Sequence, residues 1–328
     1  MEDIQKRRFI CLLVLILTLG CFATVSAGQD DLQKTESKNW SVDLRAKNSF
    51  NSYTSYEFGN PFPPGQSPLS RLEFPLNTWW MGLEVRRSLS RFSVGLEALT
   101  NIPNDINGVF KDSDWTDEEH PKVGTIYSES RCRLDPSYSL RADLDMKVSD
   151  WLKLPVWFDL RPVIGLRWQQ LSLVTHDGTQ YSSENNTYLV ENLPGEGIGF
   201  DQTYWQYFIG LRGFHDLSRA LKLSRVTLHW QGDWAYVEGK NQDHHLLREG
   251  NRFTYETTTG DAWHAALGLK IGLTKNMNAG VELDYLKITT TGSHRLLNRS
   301  MDIDLSFNNG VRVWSEQTSI LLKLEYLF

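Results

Sequence analysis

The chain has 328 residues, with 34 Lys and Arg against 40 Asp and Glu, which gives a formal net charge of −6 at pH 7. Nucleic-acid-binding proteins carry a basic footprint, so we expect no nucleic-acid partner. Twelve Trp and twelve Tyr accompany a mean hydropathy of −0.40. Membrane β-barrels have such a composition, because they combine an apolar outer face, a polar interior and aromatic girdles.

The first 27 residues have the pattern of a secretory signal peptide. A basic start, Lys6-Arg7-Arg8, precedes an apolar run over residues 9–22, and Val25-Ser26-Ala27 is an A-x-A-like cleavage site. Lipidation at Cys21 is an alternative. Cleavage after Ala27 leaves a mature domain, residues 28–328, in which Cys132 is the single cysteine. An internal disulfide is therefore not expected.

Alternation of apolar and polar residues over most of the mature chain predicts an all-β fold. We predict a transmembrane antiparallel β-barrel of about ten strands, an even number as in bacterial outer-membrane proteins. The predicted strands are residues 40–57, 70–88, 91–104, 125–149, 154–175, 200–214, 224–240, 252–273, 279–293 and 313–328. The strands exceed the roughly 9–11 residues that cross a bilayer, so the barrel should extend beyond the membrane.

The last strand supports the barrel, because apolar residues occupy every second position from Leu322 to the terminal Phe328. An ending of this kind resembles the insertion signal of outer-membrane proteins in Gram-negative bacteria. The edge strand of a soluble sandwich is the alternative. The connections also alternate in length, and outer-membrane barrels have short periplasmic turns and long extracellular loops. The long connections, which we expect to be extracellular, are residues 58–69, 105–124, 176–199, 241–251 and 294–312.

Two polar pairs fall in the second and fourth long connections. Asp112 and Asp114 form one pair, and Asp243 and His245 form the other. An i, i+2 spacing places both side chains of a pair on one face of a strand. In a barrel of about ten strands, side chains from opposite walls can meet. Two carboxylates that face an Asp–His pair can activate a water molecule.

Other interpretations of these residues stay open. Acidic connections are commonly just solvated, and acid-rich loops can also bind Ca²⁺. His244 and His245 with Asp243 could form a metal site joined by His120, provided that three or four ligands converge.

The two pairs also carry a resemblance to a family. Asp112-Ser113-Asp114-Trp115 in the second outer connection, with Asp243-x-His245 in the fourth, resembles the omptins, the outer-membrane aspartyl-type endopeptidases of Gram-negative bacteria. Ser70-Arg71-Leu72-Glu73-Phe74 is similar to the start of their second strand. Residues 115–121, with W-T-D-E and then H-P, and Phe208-Ile209-Gly210-Leu211 are similar to further omptin segments.

The resemblance implies a role for each residue of the two pairs. His245 would be the general base, and Asp243 would orient it and stabilise the imidazolium. Asp112, with Asp114 beside it, would hold the attacking water. Repulsion between the two carboxylates should raise the pKa of one of them. The implied activity is peptide hydrolysis at the cell surface without a metal or another cofactor.

The family also implies features that this sequence replaces. Omptins bind basic side chains with pocket acids, but Asn241 stands where one is expected, and the first-strand register gives Tyr53, with Glu57 nearby. Without a buried negative charge, a preference for Arg or Lys loses its Coulombic basis.

Lipopolysaccharide, the activator that the family implies, would bind outward basic residues. Gln170 and Thr203 stand at the expected positions, and Arg167 or Arg212 could substitute. These departures motivate the main alternative function, a non-enzymatic outer-membrane barrel that acts as an adhesin or binding protein. A lipid-modifying barrel enzyme is a third option.

Overall fold

The structure, a computed structural model, describes residues 39–60, 65–184, 187–223, 225–248, 250 and 252–328. In this part of the chain an antiparallel sheet closes on itself, because β12, the last strand, pairs with β1. The predicted signal peptide, residues 1–27, lies outside the described residues. No helix in the described ranges is long and apolar enough to cross a membrane.

The sheet contains twelve strand segments, and two short helical turns lie between strands. The segments are β1 Trp40–Phe58, β2 Ser70–Pro75, β3 Trp79–Leu89, β4 Phe92–Asn101, β5 Phe110–Asp114, β6 Ile126–Met146, β7 Phe158–Glu184, β8 Thr187–Asp216, β9 Val226–His245, β10 Arg252–Gly272, β11 Met277–Asn298 and β12 Ile303–Leu327. A single helical turn, α1, spans Ser218–Leu221, and a 3₁₀ turn spans Arg299–Met301.

The twelve segments of the described chain form ten strands around the lumen, because two of these strands are each built from two segments. Both β2 and β3 pair with β1, and both β4 and β5 pair with β6. β2 and β5 pair with each other near the end of the barrel that carries the connection 59–69, which we call the loop end. β3 and β4 pair towards the opposite end. The prediction of a ten-stranded antiparallel barrel is confirmed.

Four of the predicted long connections are wrong in detail, because each contains part of a strand. β5 lies within residues 105–124, β7 and β8 continue through 176–199, β9 extends to His245 within 241–251, and β11 and β12 take up most of 294–312. These segments carry many polar residues, which makes them look like loops in the sequence. Antiparallel strands tolerate solvent on a face, so polar side chains do not prevent the backbone ladder from continuing.

A belt of exposed apolar side chains covers the outer face of the barrel towards the end opposite the loop end. On β10 it includes Leu267, Leu269 and Ile271, and aromatic side chains such as Trp205, Tyr236 and Trp263 mark its edge. Apolar bands flanked by aromatic girdles face lipid in outer-membrane barrels. Further towards the loop end the outward positions of β9 and β10 are polar. They include Glu238, Lys240, Thr257 and Thr259.

Ion pairs fill the lumen at the level of the belt. Asp143 accepts hydrogen bonds from Arg86 at 2.7 Å, from Arg141 at 2.8 Å and from Arg212 at 3.3 Å. Arg167 contacts Asp233 at 2.6 Å in the same interior. Arg167 and Arg212 therefore point inward, and the expectation that either could substitute as an outward lipid contact is wrong.

Asp143→Asn should destabilise the barrel strongly, because three guanidinium groups in the lumen lose a shared and buried carboxylate. Removal of one partner from a buried ion pair costs about 3–5 kcal/mol. The measurement is urea unfolding of the protein refolded into lipid vesicles. Asp304→Asn is the control, since the Arg295–Asp304 pair is about half exposed, and its unfolding midpoint should stay at the wild-type value. Equal midpoints for all three proteins would contradict a stabilising role for the lumen network.

Candidate active site

The four predicted site residues lie on strands near the loop end and not in loops. Asp112 and Asp114 belong to β5, which is held between β2 and β6. Asp243 and His245 are among the last residues of β9, whose pairing with β8 and β10 continues to His245 itself. Strand pairing thus fixes the backbone on both sides of the site, which is a more rigid mounting than the predicted connections would give.

Asp243 is fully buried, and both of its hydrogen-bonding contacts use the same carboxylate oxygen. The hydroxyl of Tyr56 donates to Oδ2, and Nε2 of His245 lies 3.1 Å from that atom. Oδ1 of Asp243 has no partner among the described residues. Burial alone would raise the pKa of Asp243, but the charge of His245 and the hydrogen bonds from His245 and Tyr56 lower it below the usual range.

Asp112 has the opposite electrostatic character. Burial is the largest cause that raises the pKa of Asp112 well above its usual value, and the charges of Asp114 and Asp243 raise it further. Its Oδ1 is buried without a partner in the described part of the chain. Repulsion by Asp114 was predictable from the spacing of the two residues, whereas the burial was not.

Closure of the barrel brings one residue of each pair to a cleft of about 290 Å³, because Asp112 and His245 both line it. Phe110, Ile126, Ile198 and Leu247 contribute apolar walls. Asp114 lies two residues further along β5 and is half-buried. His244 lies outside this cleft and stacks on Phe253 with a ring distance of 4.0 Å. The cleft therefore combines a half-buried acid, an imidazole that lies 3.1 Å from a carboxylate oxygen, and room for a ligand.

Aromatic rings form a continuous stack in the lumen beside the site. Phe74 lies 4.7 Å from Phe110 and 4.4 Å from Phe200, and Phe200 lies 5.4 Å from Tyr56. Phe110 precedes Asp112 by two residues, and Phe200 is opposite Asp243 in the β8–β9 register. The stack therefore links the two halves of the site and gives it an apolar floor.

The first-strand residues that the sequence predicted for an acidic pocket do not face the lumen. A register shift between Phe50 and Tyr53 switches the inward positions of β1, so that Thr54 and Tyr56 are buried and Tyr53 points outward. Glu57 also points outward, where it accepts a hydrogen bond from Arg71 at 2.7 Å. A one-residue slip moves every side chain to the other face of a strand, and this bulge causes such a slip.

Glu256 is a buried acid that the sequence interpretation missed. It is opposite Asn241 in the β9–β10 register, and its Oε1 lies 2.9 Å from Nδ1 of His294. Burial raises the pKa of Glu256, although the hydrogen bond and charge of His294 oppose this. The alternation of Thr254, Glu256 and Thr258 was the signal that could have identified it. A carboxylate therefore lies beside Asn241, on the neighbouring strand.

The alternative of a metal site receives no geometric support in the described ranges. His120 is exposed and pairs with Asp117 at 3.0 Å, while His244 stacks on Phe253. Within those ranges, no group of three or more His, Cys, Asp or Glu side chains could hold a metal ion. Cys132 is buried and unpaired, and burial raises its pKa to about 12, which keeps the thiol protonated.

Comparison with known proteins identifies the family and the fold. The model of the Omptin family matches residues 72–328. The structure is similar to that of the outer membrane protease OmpT from Escherichia coli, with a TM-score of 0.77 and 17% identity over 91% of this chain and 99% of that chain. The translocator domain of the autotransporter NalP from Neisseria meningitidis gives a TM-score of 0.35 and 11% identity, with 100% and 96% of the chains covered. No curated protein matches the sequence.

Asp112→Asn should stabilise the folded protein at pH 8. The raised pKa of Asp112 means that the unfolded chain ionises first, so wild-type stability falls as the pH rises above the ordinary Asp value towards the raised one. Because Asn cannot ionise, the variant should not lose stability over this pH range. The measurement is the urea midpoint of both proteins at pH 4 and pH 8.

Asp117→Asn is the matched control, because a hydrogen bond from His120 lowers the pKa of Asp117. That variant should gain no stability at pH 8. The contradicting result is an equal change in urea midpoint from pH 4 to pH 8 in the wild type and in Asp112→Asn. It would show that ionisation of Asp112 does not lower the stability of the folded protein.

Proposed function

This chain belongs to the omptin family, and on that premise we propose that it is an outer-membrane endopeptidase whose cleft opens outside the cell. The observation that carries the proposal is the cleft that contains both Asp112 and His245. The belt of lipid-facing side chains supports membrane insertion, and the site lies towards the loop end, beyond the belt. Long connections of outer-membrane barrels are extracellular, which supports the orientation.

In the proposed reaction, His245 takes a proton from water as the water oxygen attacks the peptide carbonyl carbon. Its Nε2 faces Asp243, which leaves Nδ1 as the ring nitrogen that accepts the proton. The ionised carboxylate of Asp243 stabilises the imidazolium that forms, as in other hydrolase dyads. The proton then passes to the leaving amide nitrogen, and the C–N bond breaks. Because water attacks directly, no covalent intermediate is needed.

Asp112 and Asp114 would position the water from the other wall of the cleft. The raised pKa of Asp112 favours its protonated form, which can donate a hydrogen bond. Asp114 can accept a hydrogen bond from the same water.

The proposed substrates are peptides or segments of surface and extracellular proteins. Asn241 places a neutral amide two residues from Asp243, and Glu256 is already paired with His294. The negative charge available to a basic substrate side chain is therefore reduced. We expect cut sites that are not restricted to Arg and Lys.

We also propose that hydrolysis proceeds without lipopolysaccharide. Gln170 and Thr203 are opposite each other in the β7–β8 register, and both are uncharged. Arg167 and Arg212 are buried in the lumen. Uncharged residues therefore occupy both positions where the family resemblance implies cations, although the outward Lys240 is opposite Thr203 in the β8–β9 register.

An adhesin is the second candidate, and exposed side chains at the tip of the β7–β8 hairpin favour it. Tyr188, Leu189 and Val190 have exposed fractions of 66%, 54% and 59%, well away from the lipid-facing belt. Exposed apolar patches of this kind mark interaction surfaces. Binding that persists without hydrolysis would favour this candidate.

The experiment is digestion of a mixed peptide library by the refolded protein, with and without lipopolysaccharide, followed by mass spectrometry. We expect cleavage in both conditions and none by the Asp243→Ala/His245→Ala variant. Cleavage by the double variant would reject the proposed site. An absence of cleavage by a folded wild-type barrel would favour the adhesin.

Single substitutions separate the proposed site from its surroundings. His245→Ala and Asp112→Ala should each lower kcat/KM by about 10³-fold or more, because removal of one member of a catalytic unit disables it. His244→Ala is the matched control, since His244 is the next residue on β9 and stacks on Phe253 away from the cleft. It should keep kcat/KM within a few-fold of wild type. Similar losses in all three variants would contradict the assigned roles.

A further inference from the structure

We propose that Tyr56 is a positioning residue that acts through Asp243 to set the pH range in which the Asp243–His245 pair is ready to accept a proton. As a role in catalysis, this inference rests on the proposed function. As a statement about the pair, it can be tested without hydrolysis.

The geometry of Tyr56 is fixed by its burial. The residue lies on β1 after the register shift, and its exposed fraction is 0%. Its ring is nearly parallel to that of Phe200, at 8° and 5.4 Å. Phe200 is opposite Asp243 across the β8–β9 register, so the stack delivers the Tyr56 hydroxyl to Oδ2 of Asp243. A ring held in this way has little freedom to direct its hydroxyl elsewhere.

The hydroxyl competes with His245, because both contact Oδ2 of Asp243. Burial and the negative charge of Asp243 raise the pKa of Tyr56 well above its usual value, so the hydroxyl remains a donor throughout the working pH range. A hydrogen bond to an ionised carboxylate stabilises the charged form. Tyr56 therefore makes Asp243 less basic and weakens its hold on an imidazolium.

Charged groups face this pair from several elements. His245 lies on β9, Arg252 and Glu256 lie on β10, Asp112 lies on β5, and His294 lies on β11. Their side chains are unchanged when the Tyr56 hydroxyl alone is removed. Removal of that donor makes the carboxylate more basic and strengthens its pairing with a protonated His245. With a more basic carboxylate, or with a stronger pairing, the Asp243–His245 pair binds its proton at a higher pH.

The test is Tyr56→Phe, which keeps the ring in the stack and deletes the donor. We would label the histidines of the refolded protein isotopically and follow the imidazole signals by NMR as the pH changes. The midpoint of the His245 signal should move upward by about one pH unit, since a hydrogen bond to a charged group is of that order. The signal of His244 should not move. The acid limb of kcat/KM should move upward together with that of His245.

Tyr204→Phe is the matched control, because Tyr204 is an equally buried tyrosine whose hydroxyl makes no hydrogen bond, to Asp243 or otherwise, in the described part of the chain. An unchanged His245 midpoint in Tyr56→Phe would overturn the inference, and so would equal shifts in both variants. If Tyr56→Phe does not fold, 3-fluorotyrosine at position 56 provides a stronger donor. It should move the midpoint downward, and an unchanged midpoint would again overturn the inference.

The two proposals fail in different ways. A shifted midpoint in a protein that cleaves no peptide would support the coupling of Tyr56 to Asp243 and reject the protease function. If the wild type cleaves peptides and Tyr56→Phe leaves the His245 midpoint unchanged, the protease function is supported and the role of Tyr56 is overturned.

Discussion

Closure of the sheet between β1 and β12 is the constraint on which the rest of the structure depends. A bilayer offers no hydrogen bonds to the backbone, so a sheet that spans it must close. Closure divides the side chains into an outward set and an inward set with a period of two. It also brings strands that are far apart in sequence around one lumen. For that reason β5 and β9 can supply the two halves of one cleft.

The strands continue beyond the lipid-facing belt, and this extension separates two environments inside one barrel. At the belt, arginines and carboxylates pair with each other and fill the lumen. Near the loop end, aromatic rings replace these ion pairs, with Asp243 buried and Asp112 half-buried beside them. The apolar floor raises the pKa of Asp112, while His245 and Tyr56 keep Asp243 ionised. The same strands thus supply a stable wall and two carboxyl groups whose pKa values are displaced in opposite directions.

Burial of the Asp112 and Asp243 carboxyl groups lowers the stability of the folded protein. The proposed function gives a reason for the protein to keep them buried. An acid with a raised pKa is a liability at neutral pH, as is a carboxylate oxygen without a partner. Active sites commonly have such features, because groups that are needed for activity can lower the stability of the folded protein. In this barrel the continuous ladders of β8, β9 and β10 offset that loss, because they hold the backbone of the site on both sides.

The sequence alone could predict the features that depend on periodicity. The alternation gave ten walls, and the i, i+2 spacing placed Asp112 with Asp114 and Asp243 with His245. The register of β1 could not be predicted. The bulge between Phe50 and Tyr53 switches the inward positions of the strand, and no residue pattern in the sequence indicates the bulge.

Contacts between distant parts of the chain were hidden for a related reason. Tyr56 and Asp243 are 187 residues apart and meet across the lumen, which only the closed ring determines. Glu256 and His294 are opposite each other on the neighbouring strands β10 and β11, and that contact depends on the register of the two strands. Arg167 and Arg212 were assigned to the wrong face because a single charged residue does not reveal which side of a strand it occupies.

Convergence of β5 and β9 on one cleft is the central claim, and cysteine cross-linking measures it most directly. In a Cys132→Ser background, Asp112→Cys/His245→Cys places thiols on the two inward faces. Ser113→Cys/His244→Cys places them one residue away on the outward faces of the same strands. A short bifunctional thiol reagent should join the first pair within one molecule and leave the second pair unlinked. Linkage of the outward pair alone, or of neither pair in a folded barrel, would contradict the account.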